Sequence, residues 1–415
     1  MQLLLKNIGQ LVTVSANGGL VKTGKDMRNI GVVENATVLI ENGMIRWVGK
    51  ASDFREKLKK DADTLDASSY VALPGFVDAH THLVFAGTRE NEFAMRAEGK
   101  TYQQIAEQGG GILSTVKATR AATKKELKKL ASKRLDSMMQ HGTTTVEIKS
   151  GYGLDENSEM KILEAINELG NEHPMSIVST FLGAHAIPPE FKGKPDDYVQ
   201  LLCERMLPYI SKKKFARFCD VFCDKGYFTV EQTRGIFEKA RSLGFDLKIH
   251  ADELANIGAS GLAADSSAVS ADHLENITVD EMRRLKKAGV VAVLLPGVSF
   301  FLNHPHANAR ALIDSGVPVA IASDFNPGSC MSFSMPLMMT IACTQMKMTP
   351  EEAITAATLN AAAALKLSDK VGSIEVGKQA DIVLYEIPNY QYLAYHFGVN
   401  LVSKVIKKGT ILEFS

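Results

Sequence analysis

The structural interpretation of this chain starts from residues 73–82, which read Leu-Pro-Gly-Phe-Val-Asp-Ala-His-Thr-His. The apolar run at 76–80 predicts a short β-strand that ends in two histidines separated by one residue. Side chains at positions i and i+2 of a strand point to the same face. His80 and His82 can therefore approach the same metal ion. A single His-x-His pair is a weak signal in a chain with ten histidines, so it needs support from other residues.

The chain contains a second pair of this kind, His304-Pro305-His306. Proline cannot donate a hydrogen bond inside a central strand, so we expect this pair to lie in a loop. Solvated loop histidines are the simpler interpretation of His304 and His306.

The middle of the chain alternates between short β-type runs and helical patterns. In Lys124–Gln140, for example, apolar residues recur at helical spacing. Eight β/α units between about 76 and 325 predict a TIM-like (β/α)8 barrel. A doubly wound open sheet is the competing α/β architecture, but no G-x-G-x-x-G motif follows the first strand. The predicted strands are 76–80, 143–148, 176–181, 218–222, 245–250, 268–271, 290–295 and 319–323.

Both ends of the chain are rich in predicted strands. Apolar runs flank Asn42-Gly43, a dipeptide typical of tight hairpin turns, and Lys408-Gly409 marks a similar turn near the other end. We therefore predict a small β-sandwich domain that both termini build. The expected division is 1–75 and 371–415 for this domain and 76–370 for the barrel with its closing helices.

The composition excludes several classes of protein. Lys plus Arg and Asp plus Glu both number 47, so there is no broad basic field to hold nucleic acid. The five cysteines show no regular spacing, which is typical of reduced thiols. The chain lacks an apolar run of about 18 residues that could span a membrane, and its start does not resemble a secretory signal. We expect a cytoplasmic protein.

Further polar residues stand at or just beyond the ends of predicted strands: His185, His250, His273 and Asp324. In a barrel the carboxyl ends of all strands open on one face, where active sites lie. His80, His82, His250 and Asp324 would meet there although they are distant in sequence. The alternative is that each is a separate polar residue that ends a strand, such as a helix cap for Asp324.

Three imidazoles and one carboxylate suit zinc or ferrous iron better than magnesium or calcium. Such an ion lowers the pKa of a bound water from 15.7 toward about 7. Glu253, three residues past His250, could accept a proton or bind the substrate. Its simpler role would be an acidic residue at the start of a helix.

At this point the sequence resembles a known family, the metal-dependent amidohydrolases. Residues 74–82 are similar to the opening of the family's barrel, and 372–384 are similar to its closing segment. Six further stretches resemble one branch of the family and extend through most of the chain: 82–90, 108–116, 147–154, 181–190, 248–253 and 323–329.

The resemblance implies hydrolysis of 4-imidazolone-5-propanoate to N-formimidoyl-L-glutamate, by attack of a metal-activated water on the cyclic amide. By the family pattern His80, His82, His250 and Asp324 hold zinc or iron. Many relatives bind two metals through a lysine on the fourth strand, but 218–222 contains no lysine, so one ion per subunit is expected. Because large amidohydrolases are often dimers, a homodimer is also expected.

The same resemblance implies roles for the remaining site residues. Glu253 would position or deprotonate water, His273 would polarise the carbonyl, and Asp324 would carry a proton to the leaving nitrogen. A guanidinium suits the propionate tail of the substrate. The implied substrate contacts are Arg89, Tyr152, His185, Glu253, Asn326, Gly328 and Ser329.

Simpler interpretations stay open for two of these residues, because Arg89 could form a surface ion pair and Tyr152 could pack in a loop. Two other functions also stay open. One is a different cyclic-amide hydrolase or deaminase on the same scaffold, because a fold and its metal centre host many substrates. The other is a non-catalytic assembly protein that has kept only the barrel.

Overall fold

The computed structural model describes residues 2–100, 104 and 108–413. Its strands are β1 (Gln2–Val12), β2 (Val32–Glu41), β3 (Met44–Lys50), β4 (Asp63–Asp66), β5 (Val71–Pro74), β6 (Phe76–Asp78), β7 (Thr143–Lys149), β8 (Ser176–Ala184), β9 (Phe218–Cys223), β10 (Asp246–Ala251), β11 (Ser270–His273), β12 (Val291–Leu294), β13 (Val319–Ile321), β14 (Ile382–Tyr385), β15 (Val402–Lys407) and β16 (Thr410–Leu412).

The α-helices are α1 (Glu90–Ala97), α2 (Ile112–Ala121), α3 (Lys124–Gln140), α4 (Glu156–Glu172), α5 (Pro195–Leu201), α6 (Leu207–Lys213), α7 (Val230–Ser242), α8 (Ala259–Asp265), α9 (Val279–Ala288), α10 (Pro296–Leu302), α11 (Ala309–Ser315), α12 (Met335–Met346), α13 (Pro350–Ala357), α14 (Leu359–Ala363) and α15 (Tyr392–Tyr395). Short 3₁₀ helices cover Gly24–Arg28, Ala51–Asp53 and Pro189–Phe191, and a π-helical turn covers Leu202–Met206.

Strands β6 to β13 form one parallel sheet in which spatial order follows chain order. The ring is completed beyond the strand ends by a parallel bridge between Thr81 and Phe325. There Asp324 donates its backbone N–H to the carbonyl of His80 at 3.0 Å. The predicted (β/α)8 barrel is therefore confirmed, and an open doubly wound sheet is excluded. Each of the eight predicted strands overlaps its observed counterpart.

The helices between these strands bury one apolar side against the barrel. In α3 the buried side chains include Leu127, Ala131, Leu135 and Met138, the spacing that the sequence predicts. Thr123 begins this helix as a capping box, in which its hydroxyl and Glu126 each accept a backbone N–H of the other residue. The helices thus cover the outer face of the ring and leave its carboxyl-terminal mouth for the site.

The terminal segments form an eight-stranded sheet with the order β16-β15-β14-β5-β1-β2-β3, and β4 also pairs with β1. Strand β1 is interrupted by a register shift between Leu5 and Ile8, where Asn7 has a φ of 57°. Before the shift β1 pairs with β4, and after it with β5. The sheet has its own apolar core, which includes Leu5, Val38 and Ile382. Both termini therefore build this unit, as predicted.

Both predicted hairpin turns are present. Asn42 and Gly43 have φ angles of 51° and 80°, and Lys408 and Gly409 have φ angles of 48° and 76°. Positive φ at two consecutive positions is what a type I′ turn requires. None of the helices in the described part of the chain combines the length and the apolar character that crossing a bilayer requires.

Candidate metal centre

Four predicted metal ligands converge at the carboxyl-terminal mouth of the barrel. His80 and His82 follow β6, His250 lies in β10, and Asp324 follows β13. One potential ligand atom from each of the three histidines lies within 4.8 Å of the others. The Oδ1 atom of Asp324 lies 3.5 Å from Nε2 of His80 and 3.3 Å from Nε2 of His82. Residues more than 240 positions apart therefore face one small volume.

Three of the potential donor atoms in this volume have no competing hydrogen bond within the described part of the chain. Nε2 of His80, Nε2 of His250 and Oδ1 of Asp324 are buried and lack a hydrogen-bond partner among the residues described. Leaving such polar atoms unpaired is costly in a protein interior. A cation that accepts their lone pairs would remove this cost, so the residues present fit a metal ion.

Two buried carboxylates orient the ligand imidazoles from behind. Asp272 lies 2.6 Å from Nδ1 of His80, and Asp220 lies 3.2 Å from Nδ1 of His250. An Nδ1–H that donates to a carboxylate leaves the Nε2 lone pair free for a metal. These contacts therefore set the tautomer that ligation requires.

Electrostatics favours neutral imidazoles. Burial, together with neighbouring positive charges, lowers the pKa of His80 and of His82 well below the usual value. Burial raises the pKa of Asp324 well above its usual range, and the carboxylate of Glu253 raises it further. Neutral histidines bind metals, and a cation would supply the countercharge that Asp324 lacks. The donor set fits a divalent transition metal.

His273 is the last residue of β11, not a residue beyond it, and it lies next to the ligands. The atoms of His80, His273 and Asp324 also fall within 4.8 Å of one another. Nδ1 of His273 lies 3.7 Å from Glu253 and 3.9 Å from Glu275 without forming a hydrogen bond to either. His273 and Asp324 have φ angles of 80° and 48°. Such strain is typical of functional sites.

Glu253 occupies the loop after β10, where burial, and then the charge of Asp224, raise its pKa to about 8. The Asp224 carboxylate accepts three successive backbone N–H groups, from Glu253, Leu254 and Ala255, at 2.7, 2.9 and 3.1 Å. Asp224 therefore holds the loop that carries Glu253. No helix begins at Glu253, so the interpretation as a helix-starting acid is wrong.

Arg89 precedes α1 and is largely buried, with a side chain 11% exposed. Its guanidinium pairs with Glu92 at 2.7 Å, while its Nε has no partner among the described residues. A side chain on Gly328 would collide with Nη1 of Arg89, because an added Cβ would come within 2.2 Å of it. Arg89 is thus not in a surface ion pair, and Gly328 gives it room.

Tyr152 and His185 line the same mouth. The ring of His185 stacks on that of His82 with centroids 4.9 Å apart, and Tyr152 lies 5.7 Å from His82. His185 Nδ1 contacts the carbonyl of Gly151 at 3.0 Å, which turns the other ring nitrogen away from the backbone. Burial lowers the pKa of His185 to about 3, so this ring is neutral.

The amide of Asn326 is occupied within its own loop. Its nitrogen donates to the carbonyl of Asp324 at 2.7 Å and to Oγ of Ser329 at 2.8 Å. Its oxygen accepts the backbone N–H groups of Gly328 and Ser329, both at 2.8 Å. Asn326 therefore shapes the loop beside the site.

The sequence interpretation missed the buried charges beneath the ligands. A usable signal was present, because charged residues occupy alternate positions of otherwise apolar barrel strands. Lys248 lies two residues before the ligand His250. Asp272 lies one residue before His273, which is next to the ligands. The missed residues are Glu147, Lys149, Asp220, Lys248 and Asp272 within the strands, and Asp224 and Glu275 just after β9 and β11.

Comparisons with known proteins agree with this geometry. The model of the amidohydrolase family matches residues 71–412. The chain is 49% identical over 413 residues to an imidazolonepropionase of Shouchella clausii, covering 99% of this chain and 92% of that protein. It is 48% identical over 412 residues to an imidazolonepropionase of Alkaliphilus oremlandii, covering 98% and 97%.

Solved structures share the fold at low identity. A zinc-bound adenosine deaminase from Xanthomonas campestris is 19% identical, with a TM-score of 0.74 over 99% of this chain and 92% of that one. A zinc complex of atrazine chlorohydrolase from Arthrobacter aurescens is 16% identical, with a TM-score of 0.71 over 99% and 95%.

Proposed function

The chain belongs to the amidohydrolase family, and we propose that its metal centre hydrolyses 4-imidazolone-5-propanoate to N-formimidoyl-L-glutamate. The protein is thus a metal-dependent hydrolase that acts on a C–N bond of a cyclic amide. The observation that carries the choice of substrate is the near full-length similarity to imidazolonepropionases.

We assign His80, His82, His250 and Asp324 as the residues that hold the ion. When bound, the cation polarises the ring carbonyl and lowers the pKa of a water toward about 7. The free Nε2 atoms of His80 and His250 and the free Oδ1 of Asp324 support this assignment. We propose one zinc or iron ion per subunit.

The chain's own groups move the protons. We propose that Glu253 accepts a proton from the attacking water, since its raised pKa suits a base near neutral pH. His273, whose Nδ1 makes no hydrogen bond among the described residues, can carry its proton on Nε2 and donate a hydrogen bond from it to the carbonyl oxygen as negative charge develops. Asp324 then takes over the proton that Glu253 accepted from the water and delivers it to the ring nitrogen as the C–N bond breaks.

We propose that Arg89 binds the propionate tail through its guanidinium, because it is a buried cation whose Nε has no hydrogen-bond partner among the described residues. Tyr152 and His185 would contact the ring face. Glu253 would also contact the ring, and Asn326, Gly328 and Ser329 would border the tail. Asn326 would act on the tail indirectly, because its amide holds the loop that carries Gly328 and Ser329.

Three further expectations remain proposals. The division at 75 and 370 separates the terminal sheet from the barrel. The five free thiols support a cytoplasmic location. We also propose a homodimer, which light scattering of the purified protein would test.

The decisive experiment is a hydrolysis assay on freshly made 4-imidazolone-5-propanoate. Chelated protein should lose turnover and regain it with zinc or ferrous iron, and His80→Ala should remain inactive because it lacks a ligand. A parallel panel of dihydroorotate, hydantoins and guanine serves as the control. Turnover of a panel member without turnover of imidazolone propanoate would contradict the proposal in favour of another amidohydrolase.

A further inference from the structure

Five ionisable side chains lie inside the barrel directly beneath the metal centre, and all are fully buried: Glu147, Lys149, Asp220, Lys248 and Asp272. Burying charge is expensive unless each group is paired with good geometry. An apolar barrel core would avoid this cost. A cluster of this size next to the site therefore calls for a role related to the site.

Lys149 occupies the centre of the cluster. Its ammonium lies 2.7 Å from Asp220, 2.9 Å from Glu147 and 3.6 Å from Asp272. Although burial lowers the pKa of Lys149, the carboxylates of Asp220 and Glu147 outweigh it and raise the pKa. Lys149 is therefore a fixed positive charge shared among three acids.

Two of these acids are the groups that orient ligand histidines. Asp220 contacts Nδ1 of His250, and Asp272 contacts Nδ1 of His80. The Lys149 ammonium therefore contacts both of the carboxylates that accept these hydrogen bonds, although His80 follows β6 and His250 lies in β10. We infer that Lys149 is a positioning residue that controls two metal ligands at once by holding both carboxylates in place.

Lys248 provides a natural comparison inside the same cluster. It is equally buried, it also pairs with Glu147 at 3.1 Å, and it donates to the carbonyl of Ala79 at 2.9 Å. Its ammonium lies 3.8 Å from Asp272. Among the described residues it forms no ion pair with Asp220, although the two residues are register partners on β10 and β9. The two lysines share burial and two partners, Glu147 and Asp272, but only Lys149 forms an ion pair with Asp220, the carboxylate behind His250.

The inference rests on the proposed metal-dependent function. Lys149 would act on the metal ligands only through the two carboxylates that orient them, Asp220 and Asp272. Without the Lys149 ammonium, Asp220 and Asp272 would lose the partner that fixes the orientation of their carboxylates, and they would hold the imidazoles less firmly. Loss of such outer supports typically weakens metal affinity 10–100-fold. Because Lys149 serves two ligands, we expect Lys149→Met to fall in this range.

The experiment compares Lys149→Met with Lys248→Met in the full-length protein. Zinc affinity is measured by competition with a chromophoric chelator, and denaturant unfolding is measured on the same samples. We expect Lys149→Met to lose zinc affinity about 10–100-fold and Lys248→Met to stay within about threefold. In cobalt-substituted protein the visible absorption, which reports ligand geometry, should change more in Lys149→Met than in Lys248→Met, because Lys248 approaches only the carboxylate behind His80.

Two results would overturn the inference: unchanged zinc affinity in Lys149→Met, or equal losses in both variants that follow their loss of stability. If Lys149→Met does not fold, Lys149→Gln and Lys248→Gln carry the same comparison, since an amide can still donate to one carboxylate. A wild-type protein that binds zinc but leaves imidazolone propanoate intact would refute the proposed substrate and leave this comparison valid.

Discussion

The Arg89 side chain offers the clearest test of substrate recognition at a single residue. Its buried guanidinium pairs with Glu92 and lies against Gly328. Arg89→Ala should raise KM and lower kcat/KM by a factor that corresponds to about 2–5 kcal/mol of lost binding free energy, because a substrate carboxylate would lose its buried partner. Steady-state kinetics on imidazolone propanoate measure this. The surface variant Arg205→Ala should behave as wild type, and an unchanged KM in Arg89→Ala would remove that residue from the site.

The loop after β10 is the structural element on which Glu253 depends, and Asp224 holds it through three backbone hydrogen bonds. Asp224→Asn should lower kcat while the metal content stays unchanged, since one amide oxygen replaces a carboxylate. Because Asp224 helps to raise the pKa of Glu253, the kcat–pH profile should also shift to lower pH. Exposed Asp369→Asn is the control. If the kcat–pH profile of Asp224→Asn matches that of the wild type, Asp224 does not control the pKa of Glu253.

For the molecule as a whole, Glu352 joins distant parts of the chain. It is buried at the start of α13 and pairs with Arg28, at the end of the 3₁₀ helix Gly24–Arg28, and with Arg310 of α11, both at 2.9 Å. Neighbouring Thr355 donates to the carbonyl of Met27 at 2.7 Å. Together these contacts attach the chain segment after β1 to the barrel helices.

Stability should therefore depend on the charge of Glu352. Burial acts to raise its pKa, but its arginine partners and the capping N–H outweigh this and lower it. The stabilisation is present above the unfolded pKa, about 4.3, and is lost as pH falls through the lower folded value. Glu352→Gln should cost roughly 2–3 kcal/mol at pH 7 and much less at an acidic pH below the lowered folded pKa.

Urea unfolding at both pH values measures this difference. Exposed Glu386→Gln should cost less than about 0.5 kcal/mol at either pH. If the loss of unfolding free energy in Glu352→Gln does not change with pH, the stabilisation comes from the packing of the Glu352 side chain and not from its charge.

Much of the barrel and the four converging donors could be predicted from sequence. Strand and helix periodicity are local properties, and the i, i+2 rule places His80 and His82 on one face. The partner carboxylates could not be predicted in the same way. The Asp272–His80 contact joins β11 to the end of β6, which are distant in the chain, and the Asp220–His250 contact depends on the register of β9 and β10. The hydrogen bonds of Asn326 could not be predicted either, since they depend on the conformation of one loop.

By itself, the amino-acid sequence determined the eight β/α units, the strand-rich termini and the donor types at the strand ends, because these follow from short-range spacing and side-chain chemistry. Only the tertiary structure decided which buried charges meet. Closure of the ring brings Lys149 of β7 between Asp220 of β9 and Asp272 of β11. Distances across a barrel depend on how all its strands pair, and no local pattern encodes them.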